Sequence, residues 1–435
     1  MKNLLIGIRL IMAISDKPIH NKIIEILLIL LPVALLFSNI VSEIIILILI
    51  VFYFLNENLK NLFENLKNPI ISLLLIFWFY LILNSFINIE NNPSFIRSFF
   101  FIRFFLYVLA VSFFINILNI NLNKIFKWWL IIINIICVDL FFQFFTSSNF
   151  FGYDAILQGK IYRLGGFMDD ELKISNLIFN IGALVFSYFF SKDFLKNKNI
   201  NYYILFFLLI IISSIFITAE RSNFATIIFF SLLFVILLSI ENRKFFFKLL
   251  IIFSILISFP IISSDNLSKR MTNDLLKNIN LLKIEDNNNY LNKKSHYFAH
   301  YSAAYQIFER NIMFGVGLKN FRNFCDDDSL NNRINSNFQN KKCATHPHSF
   351  YFEVLSELGL VGLFLTLCLF VTIFYQVLIT YLKTKNYFLL LNSFIVLVYF
   401  IPFLPRGSFF TNWNAIIFWT IIAILNANCI KLKNK

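Results

Sequence analysis

The sequence predicts an all-α, polytopic membrane protein with about twelve transmembrane helices and one large polar loop. Hydrophobic residues make up 58% of the 435 residues, charged residues make up only 14%, and the mean hydropathy is +0.73. Soluble domains usually carry about a quarter charged residues, and they rarely contain apolar runs of about twenty residues. The net charge of +14 therefore bears on membrane topology and does not argue for nucleic-acid binding.

Twelve apolar runs are long enough to predict membrane-spanning helices, at about twenty residues per span with a broad tolerance. They lie near residues 23–37, 40–55, 69–87, 99–118, 127–145, 173–191, 202–218, 222–240, 245–262, 360–381, 387–404 and 412–430. The first run follows Lys17 and Lys22 and is typical of a signal anchor. The first two runs are short, so a hairpin that does not fully cross the membrane is the alternative for them.

Basic residues are distributed unevenly between the segments that connect these helices. The set of segments that includes both termini contains nineteen lysines and arginines, whereas the short loops of the other set contain only Arg97, Arg221 and Arg406. The positive-inside rule therefore predicts that both termini are cytoplasmic. The chain then divides into membrane helices in residues 1–262, a large outer loop in residues 263–350 and further membrane helices in residues 351–435.

A polar motif joins the outer loop to the tenth predicted span. In it, His346 and His348 are separated by a proline and followed by Ser349, a residue type that often caps helices. A helix over residues 350–358 would end at Gly359. His348 would then precede a helix N-terminus, where unpaired N–H groups favour anions. The alternative is a capped amphipathic helix on the bilayer, with histidines that have no function.

Cys325 and Cys343 are the two cysteines of the outer loop. If the orientation is correct they face an oxidising compartment, which favours a disulfide. A disulfide would tether the segment that precedes His346. A zinc site built from these cysteines with His346 and His348 ranks lower, because paired C-x-x-C ligands are missing. We therefore predict a disulfide and no metal ion.

Arginine is concentrated on the outer side, since only Arg9 and Arg243 of the eleven arginines lie in cytoplasmic segments. A planar guanidinium group binds phosphate or carboxylate through two parallel hydrogen bonds. Arg163, Arg221 and Arg406 are therefore candidates for binding an anionic ligand. The alternative is that outer arginines only anchor the chain at the membrane surface.

Two of these arginines lie in motifs with further polar residues. Arg221 follows Glu220 at the start of a predicted helix, which favours an anion site over a local ion pair between the two residues. Arg163 begins a segment that contains two glycines and ends at Glu171. The glycines let the backbone approach a ligand, and the acidic residues can bind sugar hydroxyls or act as a base. An ordinary turn with a charged helix start is the alternative.

Arg103 and Asp139 are charged residues inside predicted spans. They lie at similar depths on successive predicted helices. Because charges in lipid are usually paired, we predict an ion pair between them with a structural role.

The order of these motifs resembles the bacterial O-antigen ligase and O-antigen polymerase family. The similar segments are His346-Pro347-His348-Ser349 with Glu353 and Glu357-Leu358-Gly359-Leu360, Phe314-Gly315-Val316-Gly317-Leu318, Glu220-Arg221-Ser222, residues 163–171 and Pro405-Arg406-Gly407-Ser408. The similarity covers roughly residues 163–406, and residues 1–150 match only in hydropathy. It implies a membrane-embedded glycosyltransferase of the GT-C type in the bacterial inner membrane, with a periplasmic active site.

The resemblance also implies substrates and roles. The donor would be a glycan on undecaprenyl diphosphate, and the acceptor would be a lipid A–core sugar for a ligase or another glycan for a polymerase. His348, with His346 as second choice, would be the general base, and Arg221, Arg163 and Arg406 would bind the diphosphate without a metal ion or cofactor. A transporter for the same lipid-linked glycan is the alternative from another class, but the two related halves typical of transporters are not evident.

The chain departs from the family in one place. The family usually has an arginine shortly before the helix of the outer loop, but this chain has Ser295-His296-Tyr297-Phe298-Ala299-His300. Either a histidine, His296 or His300, replaces that arginine, or the second phosphate contact comes from elsewhere.

Overall fold

The computed structural model describes residues 17–56, 67–88, 94–158, 161–197, 202–241, 296–334, 336–402 and 404–433, and most of them are helical. The helices of the first part are α1 (Lys17–Phe37), α2 (Asn39–Asn56), α3 (Pro69–Ile87), α4 (Ser94–Phe100), α5 (Ile102–Asn116) and α6 (Leu122–Thr146). A small antiparallel hairpin of β1 (Ile156–Gln158) and β2 (Ile161–Arg163) follows α6.

The second part begins with α7, which has three consecutive stretches: Ile174–Leu177, a π-helical turn over Ile178–Gly182, and Ala183–Asn197. It continues with α8 (Tyr202–Ile217), α9 (Arg221–Glu241), α10 (His296–Arg310), α11 (Phe321–Phe324), α12 (Phe350–Thr384), α13 (Tyr387–Leu397) and α14 (Asn412–Lys433). Short 3₁₀ helices lie at Gly166–Met168, Asp328–Arg333, Ser336–Lys341 and Val398–Phe400.

The helices confirm a multi-pass membrane protein. Within the described ranges, nine helical stretches are long and apolar enough to cross a membrane, and two shorter apolar helices, Tyr202–Ile217 and Tyr387–Phe400, lie where the sequence predicts spans. The predicted span 245–262 and loop residues 263–295 lie outside the described residues. The count of twelve and the division into three regions therefore stay predictions.

The first two helices are longer than the sequence pattern indicates. Their apolar stretches contain 19 and 18 residues, or about 28 and 27 Å at about 1.5 Å per residue. This is close to the bilayer's hydrocarbon thickness of about 30 Å. Both helices therefore have the length of a full span.

Three helices form the centre of the bundle. The apolar stretches that contain α5, α7 and α14 are 72%, 83% and 78% buried, whereas that of α2 is 33% buried. Hydrogen bonds join α5 to α14 on this axis: Tyr107 Oη lies 3.0 Å from Thr420 Oγ1, and Asn426 Nδ2 donates to Ser112 Oγ at 3.1 Å. The peripheral helices expose their apolar faces, as lipid contact requires.

The predicted ion pair between Arg103 and Asp139 is wrong. Arg103 donates from Nε to Glu43 on α2 at 2.8 Å and from Nη2 to Asn412 at 3.0 Å. The chain turns back after α6, so the amide of Phe150 reaches Asp139 at 3.0 Å. The predicted depth of a residue in the membrane does not determine which neighbouring element its side chain faces. Here each charged residue has its partner on a different element.

The described part of the outer loop has its own small core. Ala299, Ala303 and Ile307 on one face of α10 are buried against Phe321 and Leu330. The sulfur atoms of Cys325 and Cys343 lie 2.06 Å apart, as in a disulfide, at the edge of this cluster. The bond connects the loop core directly to the segment that contains the histidines.

Candidate active site

The N-terminal part of α12 is separated from its membrane part by a break at Gly359. This residue has φ 67° and ψ −166° inside an otherwise helical stretch, a conformation that favours glycine. Ser349 is the N-cap residue, as predicted, but its side chain makes no capping hydrogen bond. The short helix predicted over residues 350–358 and the predicted tenth span are thus consecutive segments that meet at Gly359.

The turn at Gly315 fills the break in α12. The amides of Val316 and Gly317 donate to the carbonyls of Ser356 and Glu357 at 3.0 and 2.8 Å. Gly315 has φ 65°, and a Cβ there would overlap the backbone of Glu357. A Cβ on Gly359 would in turn overlap the carbonyl of Met313. Only glycines allow these two backbones to approach so closely, which explains both motifs physically.

Two buried glutamates connect the first turns of α12 to neighbouring segments. Glu353 accepts hydrogen bonds from Ser408 Oγ and from the amide of Phe409, the latter at 2.9 Å. Glu357 accepts one from the amide of Lys319 at 2.7 Å. The two carboxyl groups therefore hold the segment around Ser408 and the loop turn against α12.

His346 is held by protein groups at both ring nitrogens. Its Nε2 donates to the carbonyl of Arg406 at 3.1 Å, and Thr345 Oγ1 donates to its Nδ1 at 2.9 Å. Burial lowers the pKa of His346 to about 4. A neutral imidazole with both nitrogens occupied is suited to positioning the loop and not to taking a proton from a substrate.

His348 lies at the centre of a cluster of rings. Its ring centre is 4.1 Å from that of His346, and 5.4 Å from those of His300 and Tyr297. Its backbone has φ 57°, and its carbonyl accepts a hydrogen bond from the Arg406 amide at 2.9 Å. Arg406 thus bonds through its backbone to both motif histidines.

His300 reaches this cluster from α10. Its Nδ1 donates to the carbonyl of Lys342 at 3.0 Å, and burial lowers its pKa. The side chain of His296 lies outside the described residues. The ring of His300 thus lies beside that of the predicted base, although His300 does not line the cavity described next.

A cavity of about 310 Å³ opens beside His348. It lies where β2, the first turns of α7, α9 and α14, and the segments before α12 and α14 meet. Its polar lining residues are Arg163, Lys173, Asn176, Glu220, Ser222, Asn223, Tyr297, His346, His348, Tyr399, Arg406 and Asn414. Apart from the histidines, three cations and one carboxylate leave a net charge of +2 in this lining, which favours an anionic ligand.

Arg406 supplies a cation to this cavity. Its guanidinium carbon lies 4.5 Å from the centre of the Tyr399 ring. Burial lowers its pKa to about 10, so the group remains charged at neutral pH. In the described part of the chain, its buried Nε has no hydrogen-bond partner and no carboxylate lies within ion-pair distance. A buried cation of this kind needs an anion to compensate its charge.

Of the other predicted binding residues, one lines the cavity and two do not. Arg163 lines the cavity and forms an ion pair with Glu220, the residue whose pairing with Arg221 was the less favoured alternative in the sequence analysis. Arg221 begins α9 but does not line the cavity. Glu171 pairs with Lys173 at 2.8 Å at the surface and is also outside the lining.

Sequence reasoning missed the amide and tyrosine side chains that line the cavity. Asn176, Asn223, Asn414 and Tyr399 fall in apolar or unremarkable stretches, and no motif distinguishes them. Among the described residues, no three His, Cys, Asp or Glu side chains form a group that could hold a metal ion.

Comparison with known proteins matches part of the chain to a family model. Residues 206–367 match a family model described as O-antigen ligase. That interval includes the start of α9, the outer loop, the histidine motif and the break at Gly359. A search of curated proteins finds no match to the chain. The match supports an assignment to the O-antigen ligase and polymerase family, and the nine apolar helices of the described ranges agree with a multi-pass membrane protein.

Proposed function

We propose that this protein transfers a glycan from undecaprenyl diphosphate to a saccharide acceptor, as an O-antigen ligase does with lipid A–core. The reaction takes place on the periplasmic face of the inner membrane, and both termini are cytoplasmic. The observation that carries the proposal is the joint position of His348 and Arg406 at one cavity. His348 lies within the segment 206–367 that matches the O-antigen ligase model, and Arg406 lies beyond it. A potential base and a buried cation are the two groups that this transfer needs.

The chemistry follows from these two groups. An acceptor hydroxyl attacks the anomeric carbon, its proton passes to His348, and the bond between the anomeric carbon and the phosphate oxygen breaks. The diphosphate leaves with its negative charge, which Arg406 and Arg163 stabilise through charge-assisted hydrogen bonds. His346 holds the Arg406 segment against His348. This scheme uses neither a metal ion nor a cofactor, so chelation with EDTA should leave the rate unchanged.

Arg221 is the third member of the proposed diphosphate clamp. It starts α9 next to Ser222, which lines the cavity, so a bound diphosphate would reach it at the outer end of that helix. Glu171, on the exposed segment before α7, is proposed to contact the glycan where it leaves the cavity.

The test is transfer by purified protein in lipid nanodiscs, with undecaprenyl-diphosphate glycan as donor and lipid A–core as acceptor. His348→Ala should abolish transfer and leave donor binding largely intact. Arg406→Lys should lose about 2–4 kcal/mol of transition-state stabilisation, or roughly 30- to 1,000-fold in rate, because an ammonium cannot reproduce a bidentate contact. Lys383→Arg, at the far end of α12, is the matched control. Normal turnover by both site variants would refute the proposal.

A deletion strain separates the related activities. Full-length lipid-linked glycan accumulates if the protein is a ligase, and single repeats accumulate if it is a polymerase. If the protein is instead a transporter of the lipid-linked glycan, its deletion leaves the donor on the cytoplasmic face. The purified protein would then transfer no glycan.

A further inference from the structure

We infer that the cavity contains a saccharide-binding subsite formed by Asn176, Asn223 and Asn414, here called the amide subsite. The inference rests on the proposed function, because it concerns the same cavity. It specifies the part of the donor that binds on this side of the cavity, namely the hydroxyl or N-acetyl groups of the sugar next to the diphosphate.

The three asparagines come from three different helices. They lie in the first turns of α7, α9 and α14, and all three line the cavity. Two of them are bonded directly, since Asn176 Nδ2 donates to Asn414 Oδ1 at 3.1 Å. Asn414 Nδ2 donates in turn to the carbonyl of Ser408 at 2.7 Å. The amides are therefore held in place before any ligand binds.

A second layer of hydrogen bonds couples the amide subsite to Arg406. Asn180, in the π-helical turn of α7, donates to Asn176 Oδ1 at 2.8 Å. The Tyr399 hydroxyl donates to Asn180 Oδ1 at 3.2 Å, and the Arg406 guanidinium lies over the Tyr399 ring. π-Helical turns occur frequently at functional sites. A diphosphate on Arg406 would therefore place its attached sugar beside the asparagines.

Asn223 supplies the open acceptor of the subsite. Its Nδ2 donates to Ser175 Oγ at 2.8 Å. Across the described ranges, its Oδ1 accepts no hydrogen bond, although the residue lines the cavity. An uncharged amide oxygen suits a hydroxyl or amide donor. It suits neither a diphosphate, which requires cations, nor a polyprenyl chain, which requires apolar contacts.

The experiment measures equilibrium binding of two probes to purified protein in nanodiscs. One probe is undecaprenyl diphosphate without sugar, and the other is undecaprenyl diphosphate that carries a single hexose. Asn223→Leu removes the acceptor at similar volume, and Asn223→Ala is the second variant should the leucine variant fail to fold. The control is Asn134→Leu on α6, because Asn134 is also half-buried but donates only to its own helix, at the Leu130 carbonyl.

We expect wild-type protein to bind the hexose-bearing lipid more tightly than the sugar-free lipid. Asn223→Leu should weaken binding of the hexose-bearing lipid about three- to tenfold, as for one lost hydrogen bond, and leave the sugar-free lipid unchanged. Asn134→Leu should change neither. Equal affinities of wild-type protein for both lipids, or an equal loss for both in Asn223→Leu, overturns the amide subsite and leaves the proposed function standing. Wild-type protein that binds neither lipid overturns the proposed function as well.

Discussion

At the scale of single residues, the two motif histidines differ in what their rings can do. Both rings line the cavity, but the His346 ring bonds to Arg406 and Thr345 and is neutral, whereas the His348 ring lies among those of His346, His300 and Tyr297. Two histidines separated by one proline thus take different roles because their surroundings differ. Sequence motifs alone cannot assign these roles, since both histidines belong to the same four-residue segment.

The low pKa of His346 makes stability depend on pH. Its pKa is about 4 in the folded protein, against about 6.5 for an ordinary histidine. Between these values the unfolded chain binds more protons, so the free energy of unfolding falls as the pH is lowered from about 6.5 to 4, by at most about 1.4 kcal/mol per pH unit. His346→Gln keeps an Nε2 donor for Arg406 and cannot titrate. Its melting temperature should therefore fall less than that of wild-type protein over this range, and parallel melting curves would contradict the assignment.

At the scale of elements, the outer loop and α12 meet through backbone contacts. The turn at Gly315 occupies the break at Gly359, and Tyr80 and Asn84 of α3 donate to the carbonyls of Leu358 and Phe314. The loop is therefore attached to the membrane helices beside the cavity. Movement of the loop would shift the segment that contains the histidines.

The glycine contact at this junction predicts a large difference between two Gly→Ala variants. Gly152 also has a positive φ, of 83°, but nothing lies within 4 Å of a Cβ there. Gly152→Ala should cost only the backbone strain, about 1–2 kcal/mol. Gly359→Ala adds a backbone overlap and should cost at least about 3 kcal/mol. Melting temperatures of both purified variants, followed by intrinsic fluorescence, test this, and equal losses would show that the junction tolerates a side chain.

The predicted disulfide belongs to the same junction. Cys325 lies in the loop core and Cys343 three residues before His346. On the chain-entropy model, closing a loop of this size contributes roughly 3 kcal/mol. Peptide mass spectrometry of non-reduced protein should recover the two cysteines as one linked pair. Recovery of both as free thiols from protein isolated without reductant would rule the bond out.

At the scale of the whole molecule, the residues of the cavity come from segments that are far apart in the chain. Arg163, Asn223, His348 and Arg406 belong to four separate segments, and all of these segments lie at one end of the bundle. Because successive helices alternate in direction, residues at the starts of helices that are far apart in the chain can lie at the same end of the bundle. The orientation of the bundle in the membrane then decides which compartment holds the cavity.

The distribution of basic residues predicts that orientation. Reporter fusions after Lys248 should be active in the cytoplasm, and fusions near Asn288 should be active in the periplasm, because nineteen basic residues lie on the side that includes both termini. The reverse result would place the cavity in the cytoplasm and exclude a reaction with exported lipid-linked glycan.

The sequence by itself determined the membrane class, the approximate position of most helices and the motifs of the site. The length of an apolar run and the position of a glycine can be read from a short stretch of sequence. Their physical effects, burial in lipid and relief of backbone strain, also act within that stretch. The same information identified His346, His348, Arg163 and Arg406, because charged and titratable residues are conspicuous in an apolar chain.

Only the tertiary structure decided which of these groups meet. Arg103 pairs with Glu43 and not with Asp139, Glu220 pairs with Arg163, and Asn176 meets Asn414 across 238 residues. Such pairs depend on which face each helix turns toward its neighbours. That choice is made by the packing of the whole bundle, and no single stretch of sequence contains it.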